Sequence, residues 1–148
     1  MSAEPVSPFS SGVGYRLVKL GERAMARAEA ALVDIGIKPR HLNVLAVIAN
    51  NPGLSQREIS ALVGLDPNIM VGVIDDLERD GFAVRQRSTS DRRRYVVAMT
   101  GKGSDVLERG MRALAAGEEE FLTPLSPEQR KVLLDLCGLL LEGDGSGA

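Results

Sequence analysis

Residues 84–100, VRQRSTSDRRRYVVAMT, constrain the fold of this chain more than any other stretch. Two short runs with strand character, 82–86 and 94–99, flank a polar turn at 87–93, so the pattern predicts a β-hairpin. Five arginines fall in it (Arg85, Arg87, Arg92, Arg93, Arg94) against one acid, Asp91. The whole chain carries a formal net charge of −2, so this positive excess is local. A narrow tip bearing planar, permanently charged guanidinium groups suits the phosphate-lined minor groove of duplex DNA.

The residues before the hairpin read as helices with sharp punctuation. Ser55-Gln56-Arg57-Glu58 is a capping box, in which Ser55 and Glu58 satisfy each other's free backbone N–H groups. It opens a short helix expected to turn Ile59, Leu62 and Val63 inward. Gly64-Leu65 makes a tight turn. Asp66-Pro67 is a second start signal, an N-cap acid followed by proline at the first helical position. Met70, Val73, Ile74 and Leu77 follow at helical spacing, and Gly81 closes the segment. Two short helices joined over 63–66 match the helix-turn-helix scheme, whose second helix enters the major groove.

Four further helices complete a count of six. Residues 15–35 place Leu17, Leu20, Ala24, Ala28, Ala31, Leu32 and Ile35 at helical spacing, with Gly36 as the stop. Pro39 begins a helix carrying Leu42, Val44, Leu45, Val47 and Ile48, which ends at Asn51-Pro52-Gly53. Thr100 or Ser104 begins another through Val106, Leu107, Met111 and Leu114. Ser126-Pro127-Glu128-Gln129 opens the last, with Val132, Leu133, Leu136, Leu139 and Leu140. Residues 1–10 (MSAEPVSPFS) are expected to be a loose arm and 143–148 (GDGSGA) a flexible tail.

Composition narrows the function. With 148 residues, 44% hydrophobic, 3% aromatic and no Trp, the core must be built from Leu, Val, Ile, Ala and Met. The pI of about 5.5 does not by itself point to nucleic acid. The charge is segregated, however: the hairpin is basic, while Glu118-Glu119-Glu120 and the C-terminal end are acidic. Adjacent carboxylates on a helix diverge, so Glu118–Glu120 read as a solvated face and not as metal ligands. One Cys, Cys137, excludes an intrachain disulfide, and with one distant His, His41, it makes a zinc site unexpected. No metal and no cofactor are expected. No run reaches the length of a membrane span and the N-terminus lacks signal-peptide order, so the reading is a cytoplasmic protein with no membrane partner. No paired acid and base accompany the arginines, which sit on an exposed hairpin, so an enzyme is not expected.

The expected DNA-facing set follows from these elements. Pro67, Asn68, Ile69, Val71 and Gly72 occupy the exposed start of the second short helix, and Ser55 and Gln56 the start of the first. Asn68 could pair with an adenine edge, and Ile69 or Val71 could touch a thymine methyl. In the hairpin, Arg85, Arg87, Asp91, Arg92, Arg93 and Arg94 complete the set. Asp91 is expected to hold one guanidinium by a bidentate pair, leaving Arg93 to insert and Arg92 and Arg94 to meet phosphates. The helices alone would equally suit a plain bundle; the basic hairpin decides for DNA. The alternative is a winged-helix protein–protein interaction module that does not touch DNA.

The run LSQREISALVGLDPNIMVGVIDDLERDGF followed by VRQRSTSDRRRYVVAMTGKG resembles the MarR family of bacterial transcription regulators. The specific pieces are Asp76-Leu77-Glu78 with Gly81, the Asp91-Arg92-Arg93 turn matching the family's Asp-x-Arg, and Met99-Thr100 with Gly103. The resemblance spans residues 14–141. It implies a mainly α winged helix-turn-helix fold whose N- and C-terminal helices dimerise. The organisation would be an arm at 1–10, a dimerisation helix at 11–36, a DNA-binding lobe at 37–100, dimerisation helices at 101–142 and a tail at 143–148. It implies a homodimer on a pseudo-palindromic operator in double-stranded DNA, acting as a repressor released by a small aromatic or anionic ligand. It places Tyr15, Arg16, Arg40 and His41 near the cleft where family ligands bind; a histidine there could pair with an anionic ligand, though no partner for it is evident in the sequence. Relatives often carry Ser, Thr or Arg where this chain has Pro67, Asn68, Val71 and Gly72, so specificity is expected to rest more on methyl contacts, the wing and DNA shape. The reactive cysteine of the peroxide-sensing branch has no counterpart near the N-terminus. Cys137, among leucines, is expected to be an inert core thiol.

Overall fold

A computed structural model describes residues 11–143; the expected arm at 1–10 and all of the expected tail beyond Gly143 lie outside them. Among the described residues are six helices and one hairpin: α1 (Val13–Leu32), α2 (Pro39–Asn50), α3 (Gln56–Val63), α4 (Pro67–Arg79), β1 (Ala83–Arg87), β2 (Tyr95–Met99), α5 (Gly101–Phe121) and α6 (Pro127–Gly143). The mainly helical winged helix-turn-helix expected from the sequence is the observed fold.

One core holds the central elements. Leu42, Val44, Leu45 and Ile48 of α2 meet Ile59 of α3, Met70, Val73, Ile74 and Leu77 of α4, Val97 of β2 and Val106 of α5. These are the positions that recur at helical spacing, and their burial supplies the non-directional drive that holds the helices together. In α3 the inward set differs from expectation. Leu62 is 61% exposed, and Ser60 is buried in its place. The Ser60 hydroxyl donates to the Leu65 carbonyl at 2.7 Å, so its polar group is satisfied inside the turn. Gly64 stands at the end of α3 with φ of 73°, a left-handed conformation that glycine adopts without a Cβ penalty.

The hairpin is antiparallel, in the register Ala83↔Met99 through Arg87↔Tyr95. Its base is bound on both sides. The Val97 amide donates to the Leu54 carbonyl ahead of α3 (3.0 Å), and the Thr100 hydroxyl donates to the Gly81 carbonyl (2.6 Å). Thr100 also caps α5, accepting from the Gly103 amide, which settles the choice between Thr100 and Ser104 as its start. A Cβ at Gly103 would lie 2.0 Å from the Phe82 carbonyl oxygen, so only glycine lets α5 begin this close to the wing.

α1 packs on α5 and buries only Leu32 within the chain. α1 ends at Leu32, and a turn through residues 33–36 replaces the last turn expected of it. α6 has no buried residue at all. Cys137 is half-exposed, so the expected burial among leucines is not found within one chain: Leu134, Leu139 and Leu141 around it are 73%, 66% and 77% exposed. The reason is that α6 extends from the body, attached at its base where Arg130 donates to the Leu125 carbonyl and pairs with Glu119. No described helix is long and apolar enough to cross a membrane.

Candidate nucleic-acid interface

α4 starts as its sequence dictates. The Asp66 carboxylate accepts from the Asn68 amide at 2.8 Å, and Pro67 occupies the first turn. With Met70, Val73, Ile74 and Leu77 turned to the core, the 3.6-residue period puts Asn68, Gly72, Asp75 and Arg79 on the opposite, outward row. Ile69 and Val71 flank that row and are also exposed. The Asn68 side chain makes no hydrogen bond among the described residues, so its amide is open to a ligand.

α3 opens with the expected capping box. The Ser55 hydroxyl accepts from the Glu58 amide (3.3 Å), and the Ser55 amide donates to the Glu58 carboxylate (2.7 Å). The Ser55 backbone N–H, and then the Arg94 guanidinium, hold the Glu58 carboxyl below the usual carboxylate range.

The five wing arginines divide into three groups. Arg85, on β1, is drawn back onto the helices: it pairs with Asp75 (2.7 Å) and Glu78 (2.5 Å) of α4 and donates to the Gln56 side-chain carbonyl of α3 (3.2 and 3.0 Å). Arg94 pairs with Glu58 of α3, so the phosphate role expected of it meets a carboxylate already in place. Arg87 lies over the Tyr95 ring, 4.8 Å from its centre, and donates to the Arg92 carbonyl at 2.7 Å. Arg92 and Arg93, exposed at the turn, have guanidinium groups with no hydrogen bond or ion pair among the described residues.

Asp91 does not grip a guanidinium as expected. Its carboxylate accepts from the Arg93 amide at 3.0 Å, and its own amide donates to the Ser88 hydroxyl at 3.3 Å. The local two-residue bond wins because it needs no ordering of a long side chain. Asp91 therefore shapes the turn that presents Arg92 and Arg93. One basic residue escaped the sequence reading: Arg57 of α3 is exposed and free of any hydrogen bond or ion pair among the described residues. The capping box was the available signal, since a residue between Gln56 and Glu58, two before the inward Ile59, has to face out.

The second half of α4 is crowded with acids, and each has a partner. Besides Asp75 and Glu78 on Arg85, Asp76 pairs with His41 (2.8 Å) and Arg79 (2.8 Å), and Arg79 also meets Asp80 (3.4 Å). The His41 contact corrects the expectation that this histidine has no partner: it begins α2, and α2 packs across α4. Its hydrogen bond to Asp76 is the leading cause of that carboxyl lying below its ordinary range, followed by Arg79. The other ring nitrogen, Nδ1, is buried without a hydrogen-bond partner among the described residues.

Of the remaining residues assigned to a ligand, Tyr15 is exposed with the Lys19 ammonium 5.8 Å from its ring centre, and Arg16 and Arg40 are exposed. No hydrogen bond or ion pair among the described residues joins Tyr15 or Arg16 to Arg40 or His41. Glu118–Glu120 are exposed; Glu119 meets Arg130 (2.8 Å) and Glu120 meets Arg27 (4.0 Å).

Known proteins match this arrangement. The family model described as that of the MarR family matches residues 35–94, from the turn before α2 to the wing turn. A putative transcriptional regulatory protein for the hcr operon of Thauera aromatica is 38% identical over 134 residues, covering 89% of this chain and 80% of that protein. Among solved structures, the transcriptional repressor CouR bound to a 23-mer DNA duplex superposes with a TM-score of 0.86 at 28% identity, covering 95% of this chain and 99% of that one. CouR from Rhodococcus jostii RHA1 bound to p-coumaroyl-CoA superposes with a TM-score of 0.78 at 27% identity, covering 91% and 93%.

Proposed function

This chain belongs to the MarR family of transcription regulators, and from that premise we propose that it is a dimeric, sequence-specific DNA-binding repressor released by a small-molecule ligand. The observation that carries the reading is the wing tip. Arg92 and Arg93 are held out by an Asp91 turn, their guanidinium groups without a partner among the described residues, on the same molecule as an outward row led by Asn68. Unpaired guanidinium groups on an exposed turn have a natural counterpart in phosphate oxygens and the minor groove. CouR, which shares the fold over nearly the whole chain, is seen on a DNA duplex.

In this reading α4 enters the major groove, with Asn68 reading a base edge and Ile69 and Val71 meeting thymine methyls. Pro67 and Gly72 keep that helix start slim. Ser55, Gln56 and Arg57 lie toward the backbone, and Arg92 and Arg93 reach the minor groove and its phosphates. Residues 37–100 form the DNA-binding lobe. Residues 11–36 and 101–142 form the dimerisation part, because the apolar faces of α1 and α6 are left exposed among the described residues. Two copies would meet the two halves of a pseudo-palindromic operator. The protein acts where its DNA is, in the cytoplasm, and needs no cofactor.

For the ligand, the bound state of CouR supports an aromatic, anionic molecule. Tyr15, Arg16, Arg40 and His41 are the residues we assign to it. His41 is the informative member, because its hydrogen bond to Asp76 links the start of α2 directly to the recognition helix.

Selection from a randomised pool of duplexes tests the function. The wild-type protein should enrich a site with two related half-sites, and binding to it should weaken steeply with salt. Enrichment of no sequence, with binding to protein partners intact, would favour the interaction-module alternative.

A further inference from the structure

The recognition helix poses an electrostatic problem. Beside the expected DNA-facing residues, α4 carries Asp75 on its outward row and Glu78 one turn on, and α3 carries Glu58. Duplex DNA presents one negative charge per ~1.7 Å of axis, so a bare carboxylate on a groove-facing helix opposes docking. Each of these three acids is met by an arginine of the wing. Arg85 takes Asp75 and Glu78 together, and Arg94 takes Glu58.

Arg85 stands back from the turn, and Arg94 closes it, its amide donating to the Asp91 carbonyl at 3.0 Å. Arg85 is on β1, in register with Val97 well inside the hairpin, and Arg94 just precedes β2. Arg85 is also fastened by the Gln56 carbonyl, so its guanidinium is spread over three acceptors and holds few hydrogens for a phosphate. Exposed ion pairs of this kind add little to folding. Their return is expected in the complex, where the carboxylates would otherwise face the phosphates.

Given DNA binding as proposed above, we propose that Arg85 and Arg94 are positioning residues of a particular kind: they cancel the recognition surface's own carboxylates and do not contact the duplex. The wing then has two jobs. Its tip arginines, Arg92 and Arg93, touch DNA. Arg85 and Arg94 make the neighbouring helices approachable by DNA.

The distinction is measurable on the duplex enriched by the wild-type protein. Arg85→Ala bares two acids and should weaken binding by about tenfold or more at moderate salt. The triple variant Arg85→Ala, Asp75→Asn, Glu78→Gln should recover most of that loss, although it still lacks the arginine. Arg94→Ala should be rescued in the same way by Glu58→Gln, since glutamine at this position retains the capping box. If Arg85 touched phosphate, or acted only by pinning the wing, the triple variant would stay as weak as the single one, and the proposal would fall. Should Arg85→Ala not fold, Asp75→Asn with Glu78→Gln in the presence of Arg85 gives a second measurement. Cancellation predicts tighter binding than wild type, because a freed guanidinium faces no acid. Weaker binding would overturn it. A wild-type protein that enriches no duplex would refute DNA binding itself, a failure separate from either of these.

Discussion

Arg93 is the residue on which the wing's direct contact with DNA is expected to rest. Its backbone N–H donates to Asp91, and its guanidinium has no partner among the described residues. Arg93→Ala should weaken operator binding by roughly tenfold to a hundredfold while leaving thermal unfolding unchanged, because an exposed tip contributes little to the fold. Wild-type affinity in that variant, measured by gel shift, would contradict the role. Gly72 makes the opposite trade. It sits mid-helix on the outward row of α4, and a Cβ there would meet nothing within 4 Å. Glycine inside a helix costs about 1 kcal/mol relative to alanine, and within this chain nothing offsets that. Gly72→Ala should therefore raise the unfolding midpoint by about 3 °C and weaken DNA binding, since the added methyl separates helix and groove. A stabilised variant with unaltered affinity would show that the groove never comes close at Gly72.

At the scale of elements, α5 and the base of the wing are joined by one close approach. α5 starts against the strand-side end of α4 because Gly103 presents no side chain to the Phe82 carbonyl, and Thr100 fastens that corner to Gly81. The geometry carries the base of the wing on the first turn of α5, the helix that also packs on α1. Gly103→Ala puts a methyl on backbone that cannot give way. It should destabilise the fold by about 2 kcal/mol or more, lowering the midpoint by several degrees, with DNA binding lost in step with folding. A thermal scan showing no change would mean that α5 is free to tilt from the hairpin. Gly110, whose added Cβ would lie 2.7 Å from the Leu42 side chain, makes a softer contact, because a side chain can move.

At the scale of the whole molecule, the described residues leave a large apolar surface exposed. α6 buries no residue, and α1 leaves Leu17, Val18 and Leu20 in the open. A soluble protein seldom exposes so much contiguous apolar surface without a partner. A second copy is the partner we expect, with α1, α5 and α6 of each chain interlocking. Light scattering at micromolar concentration should give twice the 15.8 kDa chain mass. A stable monomer would remove the two-fold geometry on which a pseudo-palindromic operator depends. In the dimer, Cys137 would be covered by the partner's leucines, so the buried thiol expected from the sequence would be a property of two chains.

Local chemistry was enough to read most elements directly. The capping box at Ser55, the Asp66-Pro67 start, the glycine stops and the two strand-like runs around a polar turn all act within a few residues, so six helices and a wing were legible in the sequence. The outward placement of Asn68 and Gly72 followed from the same period. Contacts between residues distant in the chain were not legible. That Arg85 reaches back to Asp75, Glu78 and Gln56, that Arg94 finds Glu58, and that His41 finds Asp76 depend on how β1, α2, α3 and α4 pack. The exchange of Leu62 for Ser60 in the interior likewise turned on the Leu65 carbonyl needing a donor across a turn. A long charged side chain can serve any acceptor within its reach, and only the packed core determines which acceptor that is.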